Sequence, residues 1–109
     1  MKRYCLALDL KEDPDLINEY KVYHENVWPE IKESITDSGI VDMEIYCVSN
    51  RLIMIIETSD DFTFERKVAM DETNPVVIKW EKLMAKYQQT LPNTPEGVKW
   101  VLMEKVFKL

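Results

Sequence analysis

The stretch Val41-Asp-Met-Glu-Ile-Tyr-Cys-Val-Ser-Asn-Arg-Leu-Ile-Met-Ile-Ile-Glu57 decides how the rest of the chain is read. Val41 to Val48 and Leu52 to Glu57 are strand-like runs, and Ser49-Asn50 between them has the length of a tight hairpin turn. The second run opens Leu52-Ile-Met-Ile-Ile56, apolar at every position and so apolar on both faces of a strand. A sheet with one wet face alternates apolar with polar residues, and this strand does not. Helices can cover only one of its faces, so the other needs a cover of its own.

Upstream, Arg3 to Asp9 alternates, with Tyr4, Leu6 and Leu8 to one side and Cys5 and Ala7 to the other, which is a strand. Glu12 to Asp15 starts a helix, with Asp13 as N-cap, Pro14 at the first helical position and Asp15 near the positive end. This helix carries Leu16, Tyr20, Tyr23 and Val27 along one stripe, with Ile17 and His24 beside it. Pro29 removes a backbone donor and disfavours helix at Trp28, so a break is expected before a second piece bearing Ile31 and Ile35. Ser38-Gly39 ends that piece.

Downstream, Phe62 to Met70 reads as a helix, and Asp71 to Asn74 interrupts it. Pro75 opens a longer helix whose Val76, Trp80, Leu83 and Tyr87 repeat at helical spacing. Leu91 to Gly97 is a loop, and Trp100 to Lys108 alternates as a closing strand. The order strand, helix, two strands, helix, strand predicts one domain over residues 1–109. Its fold class is α+β: a ferredoxin-like antiparallel sheet with helices on one face. A second copy is the simplest cover for the bare face, which predicts a two-fold homodimer. The alternative is that the Leu91 to Gly97 loop and the helix break cover it within one chain.

Of the 109 residues 46% are hydrophobic and 31% charged, an ordinary globular balance. A net charge of -6 argues against a nucleic-acid partner, which needs a concentrated basic surface. No apolar run approaches a bilayer span, and Lys2 and Arg3 lead into only a short apolar stretch broken by Asp9. Cys5 and Cys47 lie in alternating apolar segments without metal or redox spacing and read as reduced, buried thiols. A cytoplasmic protein without membrane or nucleic-acid partners is expected. There is no Ser-His-Asp pattern, two glycines leave a backbone phosphate cradle hard to place, and a lone histidine excludes the multi-histidine metal sites. A carboxylate-rich magnesium site stays formally open.

His24 is the one side chain whose unperturbed pKa lies close to neutrality. Tyr20 sits one helical turn before it and Trp28 one turn after, a phenol, an imidazole and an indole in one row. That row resembles a polar-aromatic pocket wall. It is also what amphipathic helices carry at their borders, and on spacing alone the structural reading leads. Trp80 belongs by periodicity to the core stripe, with Glu81 a solvated charge. In a binding site the same pair would lay an indole on the C–H face of a sugar and offer a carboxylate to its hydroxyls.

The segment Tyr20-Lys-Val-Tyr-His24-Glu-Asn-Val-Trp28-Pro29-Glu30-Ile31 resembles the signature of the L-rhamnose mutarotase family. The opening strand, Ile45-Tyr46, Trp80 and the ending Glu104-Lys-Val-Phe107-Lys-Leu109 match in order, so the resemblance runs the whole length. It implies a homodimer of the dimeric α+β barrel type that interconverts the α and β anomers of L-rhamnose without a cofactor. It also implies His24 as proton donor and Tyr20 as a sugar contact. The family's other sugar contacts are a tyrosine on the second strand and two adjacent tryptophans. Met43 stands at the first place, and Glu81 replaces the second tryptophan beside Trp80. Proton transfer therefore carries over more fully than sugar identity, and L-fucose or another neutral aldose fits as an alternative substrate. On this reading His24 is the general acid, Tyr20 holds a ring hydroxyl or relays a proton, Trp80 is the apolar floor, and Glu81 or water is the base. Two rivals share the architecture, a cofactor-free or haem-degrading monooxygenase and a non-catalytic module that binds a small ligand.

Overall fold

A computed structural model describes residues 1–109. The elements in chain order are β1 (Lys2–Leu10), α1 (Pro14–Tyr23), α2 (Pro29–Asp37), β2 (Ile40–Val48), β3 (Arg51–Thr58), α3 (Phe64–Glu72), α4 (Pro75–Ala85), β4 (Gln88–Gln89) and β5 (Val101–Leu102). The sheet runs β2-β3-β1-β4, with β5 also on β1, and every pairing is antiparallel. This is the ferredoxin-like α+β arrangement.

Local chemistry sets most boundaries. The Asp13 carboxylate accepts from the Asp15 and Leu16 N–H groups at 2.9 and 3.3 Å, and Pro14 follows it into α1. Trp28 supplies no side-chain cap, and the helix restarts at Pro29, whose missing N–H costs nothing there. Thr63 and Asn74 cap α3 and α4 in the same way as Asp13 caps α1. The hairpin turns through Ser49 at a φ of 53°, and the Asn50 amide donates to the Leu10 carbonyl at 3.0 Å, tying the turn to the end of β1.

The register sorts the side chains by face. Leu8 lies opposite Leu52, Leu6 opposite Met54 and Tyr4 opposite Ile56, while Met43 and Ile45 of β2 oppose Ile56 and Met54. These residues meet the helices in two buried clusters, one around Leu10, Tyr20, Trp80 and Tyr87 and one around Leu6, Ile40, Ile56 and Phe62. Trp100 packs against both. Cys5, Ala7, Tyr46, Ile53 and Ile55 alternate onto the opposite face.

Four expectations need correction. The third helix starts at Phe64, because Thr63 is its cap and Phe62 is a buried core residue. The fourth ends at Ala85 and buries Val77, Trp80 and Met84, while Val76 and Leu83 are only partly buried and Tyr87 is sealed beyond the helix. The closing strand shrinks to Val101–Leu102, with one further bond from the Met103 N–H to the Cys5 carbonyl at 2.7 Å. Beyond it Val106 and Phe107 are 94% and 77% exposed, since the alternation has no neighbouring strand to pair with. Cys47 is exposed and Cys5 half-buried, and both thiols are free.

Candidate active site

The helices do not close down on the whole inner face of the sheet. They leave a cavity of about 680 Å³ between α1, α2, α3, α4 and strands β1, β2 and β3, within the range of small-molecule sites. Tyr20, His24, Trp80, Glu81 and Met43 all line it, so the structure brings these five expected residues together, whereas Trp28 is not in the lining. A second hollow of about 560 Å³ lies beside α1 against the hairpin turn, lined by Glu12, Asn18 and Lys21 among others and by none of those residues.

His24 caps the C-terminal end of α1. Its Nδ1 lies 2.8 Å from the Tyr20 carbonyl. A carbonyl can only accept, so Nδ1 carries the proton and Nε2 is the free acceptor nitrogen. The ring stacks on Tyr20 at 4.2 Å between centroids and meets Trp80 edge-on at 5.6 Å. Burial holds the imidazole below its ordinary 6.5, outweighing the Tyr20 carbonyl, which acts in the opposite sense. His24 is therefore a neutral base at neutral pH.

Tyr20 is 4% exposed, and its loss of hydration pushes the phenol far above the usual 10, with the neighbouring Gln88 amide acting in the opposite sense. It stays protonated at any physiological pH. Trp80, 7% exposed, belongs both to the core and to the cavity wall. Trp28 packs edge-on to Trp80 at 5.0 Å and backs it, instead of continuing the Tyr20–His24 row along the cavity. The helix break at Pro29 accounts for that displacement.

Met43 is half-buried on β2. Glu81 sits at the rim, with its carboxylate 3.4 Å from the Lys99 ammonium. Sequence reasoning missed Gln88 and Trp100, which also line the cavity. Gln88 stands in a two-residue polar strand without periodicity, and Trp100 opens an alternating run that carries no sign of a cavity. No group of three or more His, Cys, Asp or Glu side chains gathers anywhere, so no residue set is assigned to a metal. No helix is long and apolar enough to cross a membrane.

Comparison with known proteins places these features in a family. The model of the L-rhamnose mutarotase family matches residues 3–109. The chain is similar to an L-fucose mutarotase of Xanthomonas campestris, 36% identical over 111 residues that cover 100% of this chain and 89% of the relative. An L-rhamnose mutarotase of Phocaeicola vulgatus is 33% identical over 87% of this chain and 88% of its own. The crystal structure of an L-rhamnose mutarotase from Formosa agariphila superposes with a TM-score of 0.73, at 26% identity, covering 100% of this chain and 99% of that one.

Proposed function

The chain belongs to the L-rhamnose mutarotase family, isomerases that interconvert sugar anomers, and on that premise we propose that it acts on a 6-deoxy aldose through one neutral imidazole, His24. The observation that carries this reading is the pinned tautomer. With Nδ1–H given to the Tyr20 carbonyl, Nε2 is left as the acceptor nitrogen of a neutral ring that lines the cavity.

Opening a pyranose moves one proton from the anomeric hydroxyl to the ring oxygen while the C1–O bond breaks and a C=O bond forms. Both oxygens hang on C1, so one imidazole can serve them in turn. Nε2 takes the anomeric proton, and the imidazolium returns it to the departing ring oxygen. After the aldehyde rotates, the same steps run backwards on its other face. His24 thus acts first as base and then as the acid expected from the sequence, and neither Glu81 nor water is needed as a separate base. A positioned acid–base group of this kind contributes roughly 10²–10⁴-fold. Tyr20, neutral and buried, binds as a hydroxyl donor, and Trp80 supplies the apolar floor. Met43 and Phe64 give the cavity an apolar end suited to a C6 methyl group. L-rhamnose and L-fucose are the two substrates that the relatives' names support.

A second copy completes the assembly in this reading. The outer sheet face presents half-buried Ile53 and Ile55 beside exposed Tyr46, and the chain end projects Val106, Phe107 and Leu109 away from its own body. An Ile53→Asp variant should sediment as a monomer where the parent sediments as a dimer. The free thiols fit a cytoplasmic setting. Saturation-transfer NMR of L-rhamnose and L-fucose tests the activity itself. Anomer exchange should rise in proportion to protein added, and exchange at the buffer rate for both sugars would sink the reading.

A further inference from the structure

We propose that the Lys67–Asp71 ion pair on α3 is a hydroxyl-binding, specificity-determining part of the sugar site, its ammonium donating to one pyranose hydroxyl and its carboxylate accepting from a neighbouring one. The inference rests on the sugar-mutarotase reading and names two side chains that it leaves without a role.

The α3 helix lends Phe64, Lys67, Val68 and Asp71 to the cavity wall. They stand at i, i+3, i+4 and i+7, which is one face of a helix. A helix laid over a sheet fills that face with apolar residues, yet α3 buries none of its residues and places an ion pair there. Val68 is exposed although it lines the cavity, so this face borders open space rather than packed core.

The Lys67 Nζ donates to Asp71 Oδ2 at 2.6 Å, and the two side chains are 25% and 24% exposed. The other ion pair of the lining, Lys99 to Glu81, is longer and more exposed. Helix stability does not explain the tighter pair. At this spacing a helix prefers the acid before the base and favours cations in its last turn, whereas here Lys67 comes first and Asp71 occupies the last turn. Each partner keeps capacity for a ligand. The ammonium has three N–H groups and gives one to Asp71, and the carboxylate has a second oxygen, Oδ1, that no hydrogen bond within the chain uses. Neighbouring sugar hydroxyls each donate and accept, so a charged donor and a charged acceptor held side by side match them. Because the two charges cancel, the pair suits a neutral sugar, whereas a lone lysine would favour a phosphorylated or acidic one.

Anomer-exchange NMR on L-rhamnose, L-fucose and their analogues lacking O2, O3 or O4 tests this. Lys67→Met and Asp71→Leu should each raise KM roughly tenfold, the size of one hydrogen bond to a charged group, and leave kcat within about threefold. Each penalty should vanish for the analogue that lacks the hydroxyl concerned. The exchanged pair, Lys67→Glu with Asp71→Lys, keeps an ion pair in the order that helices prefer. It should hold the parental thermal midpoint and still show a raised KM and an altered ratio of L-rhamnose to L-fucose turnover, whereas a merely structural bridge would be restored in full. Thermal midpoints check that the single variants fold, and the exchanged pair carries the test if either does not. A parental KM in either single variant, a penalty equal for every analogue, or a KM restored by the exchanged pair would overturn the proposal while leaving the protein a mutarotase. Exchange at the buffer rate with the parent protein would instead remove the mutarotase reading, and this inference with it.

Discussion

At one end of the cavity Tyr20, His24 and Trp80 are packed ring on ring; at the other, Met43, Met54 and Phe64 offer apolar surface. The ion pair at that second end, Lys67 to Asp71 at 2.6 Å, is satisfied within α3 and spans one turn. The contrast separates two tasks. The proposed proton transfer uses a half-buried imidazole held in one tautomer, which the aromatic end provides. Methionines adapt their shape and carry no titratable proton, so in the proposed reading the other end selects which sugar fits.

The largest expected effect tests that separation directly. His24→Ala should lower kcat by roughly 10²–10⁴-fold in saturation-transfer NMR. Met54→Leu, a volume-conserving change at the opposite end, should leave kcat within about threefold and alter only the ratio of L-rhamnose to L-fucose turnover. Equal losses from both changes would erase the distinction between the ends.

Trp80 joins the two tasks, since it is buried core and cavity floor at once. Trp80→Ala should cost about 3–5 kcal/mol in denaturant unfolding, in line with deletion of other buried aromatic side chains. Trp80→Phe keeps an aromatic face and should retain most of the stability while raising KM. If Trp80→Phe raises neither KM nor the denaturant sensitivity, the indole is filler.

The acid side of the pH profile comes next in size. His24 in the folded chain titrates below 6.5 because burial disfavours its charge. The neutral form from which the proposed mechanism starts therefore persists through pH 6.5 and is lost only as pH falls through the lower folded value. Stability follows the same sign, because the unfolded chain binds this proton more readily: the contribution is complete above 6.5 and disappears as pH falls through the folded value. Tyr20, which stacks on the ring, stays neutral throughout this window, and Glu81 shares the cavity with them. A rate that instead rises on acidification through that window would mean that the imidazolium is the resting form.

Much of this was legible in the sequence, and for identifiable reasons. Asp13-Pro14 and Ser49-Asn50 mark a helix start and a hairpin because capping and tight turns depend on adjacent residues. Tyr20 and His24 were visible as neighbours because one helical turn fixes their spacing. Trp80 reaches that pair only through tertiary packing, and periodicity showed its core role but not its contact with the imidazole. Gln88 had no signal, since two polar residues pairing with β1 follow no pattern of their own. The chain end misled for the opposite reason. Residues 100–108 alternate as a strand does, yet alternation records a surface with two unlike sides and not the presence of a partner.

The smallest expected effect belongs to the rim. Glu81 and Lys99 meet at 3.4 Å with side chains 51% and 41% exposed, so water screens their attraction and Lys99→Ala should change stability by no more than about 1 kcal/mol. Glu81→Gln is the sharper variant, because it separates two accounts of the missing base. If one imidazole shuttles the proton between the anomeric and ring oxygens, removing this carboxylate leaves kcat within about threefold, and any change falls on KM through a lost hydroxyl contact. If Glu81 were the base, kcat would drop by roughly 10²-fold or more, as general-base losses do. The single-imidazole account requires the first result, since Nε2 is already the acceptor that the anomeric proton needs. A large kcat loss would extend the proton chemistry from the aromatic end to the rim and leave His24 with only half of the transfer.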